Sequence, residues 1–309
     1  MASGFSGIFW KHEAYGIEKV VRGSKKFMAH GNRLKSLLVA VSADEEHTHD
    51  PTLDYALGLA QENQSRLTVY VFAPALLQPF PLTLGSSSVW IAQETDRIET
   101  LSGRVAKAIR RRADELGMPV DIEYARSPFE GRYARFITLA RLHDMTILET
   151  AGTHDAGARR SAIEHALFDT GRPVLIASHA KFKVPKKVAI AWDGSAQASR
   201  AIRDGLDLLG KADHVAIATV VGMKGSEGLQ SADELMKYLA LYGIRSDIAV
   251  LTNSPGDDEG LPLRQFTASQ QVDLLVMGAF VHSRLRQAIM GGMTHSLLAD
   301  CPVPIVMSH

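Results

Sequence analysis

The chain has 309 residues, 46% of them hydrophobic, and its 34 basic and 34 acidic side chains cancel to a formal charge of zero. That balance excludes a surface built for broad attraction to nucleic acid or to an anionic membrane, and no apolar run approaches bilayer-spanning length. One cysteine, Cys301, rules out an intrachain disulfide; in its apolar setting it reads as a buried structural thiol, and the composition suits a reducing, cytoplasmic compartment.

Residues 1–33 form an N-terminal extension outside the repeat described below. Its short apolar stretch, Phe5, Ile8, Phe9 and Trp10, precedes Lys11, the reverse of signal-peptide order. The segment reads either as an extension or as sequence upstream of a start at Met28, with contact to a membrane surface as an alternative. From there, short β-branched apolar runs alternate with helical patterns. Strands are expected near 37–42, 66–72, 120–124, 145–149 and 173–177, and helices near 52–62, 88–116, 129–141 and 160–169. Gly117 fits the C-cap of the long second helix. Its Arg110-Arg111-Arg112 run, flanked by Asp114 and Glu115, reads as a solvated face rather than a nucleic-acid contact.

The plan then recurs. V-A-V-S-A-D (39–44) falls on V-A-I-A-W-D (188–193) in a gap-free alignment of 39–72 with 188–221. H-D-M-T-I-L-E-T from His143 parallels V-D-L-L-V-M-G-A from Val272. Two domains follow, 34–180 and 185–309, joined by the polar stretch A-K-F-K-V-P-K-K. Strands apolar on both faces and separated by helices predict two doubly wound parallel α/β domains, each with a sheet of its own.

The most informative segment is 272–309. A buried strand (274–277) runs into Gly278, then a long loop, the pair Gly291-Gly292, a helix starting near Thr294 and a last strand, 303–307. Glycines let backbone amides approach an anion closely, and a helix N-terminus adds free N–H groups and a positive dipole end. Gly278 is read here as an exposed loop residue. In open α/β sheets a ligand lies at the carboxyl ends of the strands, where Asp193, Val220 and this loop converge. Asp193 has a local reading as well: in W-D-G-S its side chain bonds the turn's own amides.

These residues resemble the universal stress protein family, whose nucleotide-binding members carry a G-x-x-G-(x)9-G-(S/T) loop after the fourth strand. Gly278 matches the first glycine and Gly291 the third. Val281 stands in place of the second glycine, and Gly292 in place of Ser or Thr. The resemblance implies two five-stranded parallel sheets of the adenine nucleotide alpha hydrolase-like type, packed as an internal pseudo-dimer, with a further homodimer left open. It implies a stress-response sensor or regulator that binds ATP or a related adenine nucleotide, with Mg²⁺ accompanying the ATP. The residues carried over are Asp193, Val220, Gly278, Val281, His282, Gly291, Gly292, Met293 and Thr294, with His282 and Arg284 able to offer donors to a phosphate.

In the first copy Asp44 is aligned with Asp193, but Glu149 falls on Gly278, where a carboxylate would repel a phosphate. That copy reads as a structural partner or as a site for a different ligand, and Glu149, Asp44 and His154 could imitate a metal site. No Walker loop, dinucleotide fingerprint or nucleophile elbow occurs, and no catalytic acid or base stands out. A binding module is therefore expected, with at most slow ATP hydrolysis. The alternative is a stress protein that binds no nucleotide and acts through protein contacts or another small ligand.

Overall fold

The strand-forming runs carry apolar residues at both parities, so each strand can be covered on two sides. In β2 (Ser36–Ser42) Leu37, Val39 and Val41 point to one face and Leu38 and Ala40 to the other, and all five are buried. The computed structural model describes residues 8–11, 34–43, 50–74, 87–125, 133–150, 156–177, 181–221, 227–254, 256, 258–279, 292–300 and 302–309.

The first half continues with α1 (Pro51–Asn63), β3 (Arg66–Phe72), α2 (Ser87–Glu115), β4 (Val120–Tyr124), α3 (Ala134–Arg141), β5 (Met145–Glu149), α4 (Ala156–Asp169) and β6 (Val174–Ala177). The second holds β7 (Lys187–Ala191), α5 (Ala196–Asp204), α6 (Leu206–Leu209), β8 (His214–Val221), α7 (Glu227–Leu241), β9 (Ser246–Thr252), α8 (Leu261–Ser269), β10 (Leu274–Gly278), α9 (Gly292–Ala299) and β11 (Ile305–Ser308). Local chemistry sets the helix ends. Asp50 caps α1 by accepting from the amides of Thr52 (2.8 Å) and Leu53 (3.1 Å), and Pro51 occupies its first turn. Gly117, at φ +65°, ends the helical path just after α2. Arg112 of the basic run reaches back to Asp54 of α1 at 2.9 Å.

Each half has the strand order third, second, first, fourth, fifth, with every pair inside it parallel. Both faces are covered. Helices α1, α2, α5, α6 and α7 pack on one side with Leu37, Val39, Val188 and Ile190; α3, α4, α8 and α9 pack on the other with Leu38, Phe136, Phe266 and Leu275. Full burial of a side chain such as Phe136 or Phe266 stabilises the fold by about 2–3 kcal/mol. None of the described helices is long and apolar enough to cross a membrane.

The two five-stranded sheets do not stay separate. The last strand of each half, β6 and β11, pair antiparallel, Ile176 with Ile305, Leu175 with Val306 and Val174 with Met307, so that one eleven-stranded sheet runs through the chain. An apolar edge strand with open backbone groups is a template for another strand, and here each half closes the other's edge. Leu175 and Val306 hold the same place in their own halves, as the ladders of β5 with β6 and β10 with β11 show. A pseudo-twofold axis therefore passes through that pair, the geometry of an isologous dimer within one chain. The remaining strand comes from the N-terminal extension: β1 (Ile8–Lys11) lies antiparallel to β9 at the far edge of the second half.

The ladders also correct the gap-free alignment. Leu37 pairs with Met145 as Val188 pairs with Leu274, so Leu37, not Val39, corresponds to Val188. Ser36 pairs with Arg66 as Lys187 pairs with His214, so Arg66 corresponds to His214 rather than Val215. A one-residue slip would turn Leu67 to the wrong face, and burial does not permit it. One pair of aspartates marks the true register. Asp144 accepts from the amides of Lys35 and Ser36, and Asp273 from those of Lys186 and Lys187, all at 2.9 Å.

Candidate functional site

The site expected from the sequence lies where β7 and β10 end and the strand order reverses. Strand β7 stops at Ala191. The Trp192 amide still bonds Ala218 O at 2.9 Å, and its indole donates to Ser231 Oγ on α7. Asp193 follows, exposed, and its Oδ1 accepts from the Ser195 amide at 2.9 Å. Gly194 takes φ +80°, and Ser195 caps α5 by accepting from the Ala198 amide at 3.1 Å. The local reading of Asp193 is thus realised: the carboxylate shapes the turn that launches α5.

Gly278 is not an exposed loop residue. It is the buried last residue of β10, and a Cβ there would meet Ala198 N at 2.5 Å and the Gln197 carbonyl carbon at 2.8 Å. The glycine is required because the first turn of α5 crosses the strand end with no space between. Val220 is half-buried on β8 and packs on the face shared with α8 and α9.

Helix α9 presents its first turn to the same end of the sheet. Its Met293 amide donates to Glu259 Oε2 at 3.0 Å, and a Cβ on Gly292 would lie 2.5 Å from that oxygen. Thr294 is fully buried. The Met293 amide at this helix start is therefore taken by a carboxylate of the same chain. Its neighbour Asp258 secures the loop, accepting from Arg264, from Ser296 Oγ at 2.7 Å and from the Gly260 amide at 3.1 Å. The Arg264 bond first, then those of Ser296 and Gly260, hold the Asp258 carboxyl down at about 2. Asp193, Val220, Gly278 and the first turn of α9 belong to strand and helix ends at one end of the half-sheet. Val281, His282, Arg284 and Gly291 lie outside the described residues, as does Cys301. Glu259 and Asp258 were missed by sequence reasoning, although the acidic run D-D-E-G after β9, facing a glycine-opened helix, was a signal for them.

The corresponding place in the first half is filled from within. Glu149, at the end of β5, pairs with Arg159 of α4 at 3.1 Å, so its charge is met rather than left to repel a ligand. Among the described residues a cavity of about 40 Å³ lies beside Ser42, Phe72 and Tyr133, room for ordered water. The ladder puts Ser42, not Asp44, at the place of Asp193. Asp44 and His154 lie outside the described residues, and among the described residues no three His, Cys, Asp or Glu side chains are grouped to hold a metal.

Comparison with known proteins bears on both halves. Residues 185–309 match the model of the universal stress protein family. No curated protein matches the chain. Among solved structures, a universal stress protein from Archaeoglobus fulgidus superposes with a TM-score of 0.63 at 16% identity, over 89% of this chain and 98% of that one. A putative universal stress protein from Pseudomonas aeruginosa superposes with a TM-score of 0.55 at 14% identity, over 89% of this chain and 93% of that one. At such identities the likeness is one of fold, and it spans both halves.

Proposed function

We propose, from the premise that the second half of this chain is a universal stress protein domain, that it is an adenine-nucleotide-binding regulatory module with one site per chain, working in the cytoplasm. The observation that carries this reading is the Met293 amide, which already donates to an anion at the start of α9 beside a residue that has no side chain. A phosphate needs the same donor and the same clearance. On this reading the Gly292 and Met293 amides hold a phosphate oxygen. Backbone at Val220 meets the adenine edge, and Asp193, released from its turn, accepts from a ribose hydroxyl. Magnesium would shield the phosphate charge; Asp258 and Glu259 are the carboxylates on this side of the site. Glu259 must withdraw for the phosphate to enter, because two anions cannot share one amide.

The first half is a structural partner, since the Glu149–Arg159 pair fills its equivalent place. One observation favours a second reading: Glu259 completes the helix start without any ligand, which suits a domain that keeps the fold and acts through protein contacts or another small ligand. Calorimetric titration with ATP and Mg²⁺ separates the two. The nucleotide reading expects one site per chain, with Glu259→Ala binding about tenfold more tightly, equivalent to about 1.4 kcal/mol. Absence of heat and of any thermal shift in both proteins at millimolar ATP would exclude the nucleotide reading and favour the second.

A further inference from the structure

The starts of β7, β8 and β9 lie at the end of the half-sheet opposite the candidate site. A cleft of about 380 Å³ opens there beside α8. Its walls include Ala216, Phe266 and Val272, and its polar lining includes Lys187, His214 and Asp247. Size and lining match what small-molecule sites share: a mainly apolar concavity of a few hundred Å³ with a few converging polar groups.

The first half shows how the cleft arises. By the ladder registers Thr68 corresponds to Ala216, and His143, next to Asp144, corresponds to Val272, next to Asp273. In the first half the His143 ring is buried, bonded through Nδ1 to Leu139 O at 2.7 Å and through Nε2 to Thr68 Oγ1 at 2.9 Å. The second half lacks both the ring and the hydroxyl. The polar rim differs too. Asp247 engages His214 Nε2 at 3.0 Å, as Asp121 engages Arg66 at 2.6 Å. Where the first half has Ser36, bonded to Asp144, the second has Lys187, whose ammonium makes a long 3.4 Å contact with Gln270 O. The cleft is thus lined by Lys187 and by Asp247, whose carboxylate is turned to His214, beside the apolar wall of Ala216, Phe266 and Val272, whereas the first half has Ser36 at the place of Lys187.

We propose that this cleft is a binding site for a small monocarboxylate with a compact apolar body. The carboxylate meets Lys187, and the body lies against Phe266, Ala216 and Val272. The site is separate from the nucleotide site, and its assignment does not depend on that reading.

Benzoate is the probe, with benzylamine and benzyl alcohol as matched controls, titrated into the full chain by NMR and calorimetry. One saturable benzoate site per chain is expected, with a Kd on the order of 1 mM for so small a ligand. Lys187→Met should weaken it at least about tenfold through loss of a charge-assisted contact. Ala216→Thr with Val272→His restores the first half's residues and should abolish it. The response to ATP should not change in either variant. The site is overturned by the absence of saturable benzoate binding to the parent chain at about ten times that Kd. It is equally overturned by binding that survives in the folded double variant. Should the double variant not fold, undiminished benzoate binding by Lys187→Met overturns it. Preference for benzylamine would make the site one for cations and refute the carboxylate assignment.

Discussion

Both halves bring a glutamate to the helix that follows their fourth strand, and they bring it from different places. In the first half Glu149 belongs to the strand end itself and pairs with Arg159, a side chain of the helix. In the second, the strand end is Gly278, and Glu259 arrives from the loop after β9 to accept from the Met293 backbone amide. Opening the first would strand a half-buried arginine and move a strand. Opening the second requires one loop side chain to turn away, after which water or a ligand can take the amide. The contrast explains why one half is read as scaffold and the other as site, although both follow one topology.

Exchanging the two strand-end residues should break the comparison most severely. Gly278→Glu places a Cβ at 2.5 Å from Ala198 N, a backbone atom that cannot yield without moving α5. A loss of about 3 kcal/mol or more is expected in urea unfolding. The reciprocal Glu149→Gly should cost less, about 2 kcal/mol, since it loosens a strand end and takes the carboxylate from the half-buried Arg159 without forcing any backbone apart.

The paired aspartates should respond alike. Asp144→Ala and Asp273→Ala each remove a carboxylate that ties two amides across the sheet, at about 2 kcal/mol apiece. Burial pushes the Asp273 carboxyl up, but the bonds from Lys183 and from the Lys187 and Lys186 amides outweigh it and hold it below the ordinary value. Its contribution is therefore present above the ordinary carboxylate range and is lost as pH falls through the lowered folded value. Asp273→Asn should flatten the acid side of the unfolding midpoint plotted against pH; an unchanged acid limb would remove Asp273 from the account. At the small end, Arg66→Ala should leave the melting temperature where it is. Arg66 and Asp121 are 74% and 52% exposed, and solvent screens the pair.

Much of the fold was legible because burial on both faces forces apolar runs of strand length between helices. The strands at 66–72, 120–124 and 145–149 stand where the pattern put them. What could not be read was pairing. The gap-free alignment missed the register because apolar strands of low identity slide over one another in sequence, whereas hydrogen-bond ladders do not. The join between β6 and β11 and the docking of β1 were hidden for the same reason: an edge strand carries no mark of its partner. Gly278 was legible as a special residue and misjudged in its reason, because only the structure brings α5 across it. Glu259 acts in its helix cap through a contact far apart in sequence, which local spacing does not reveal.

The position of β1 has a consequence for how the chain is made. Residues 8–11 leave the ribosome before the other described strands, yet the edge they complete, β9, emerges only after the whole first half and much of the second have followed. Domains fold largely as they are synthesised, so the first half can form its ladders while β1 still has no strand to join. Strand β1 is thus translated ahead of the other described strands and is among the last to be placed, because its partner edge exists only once β9 has joined the sheet.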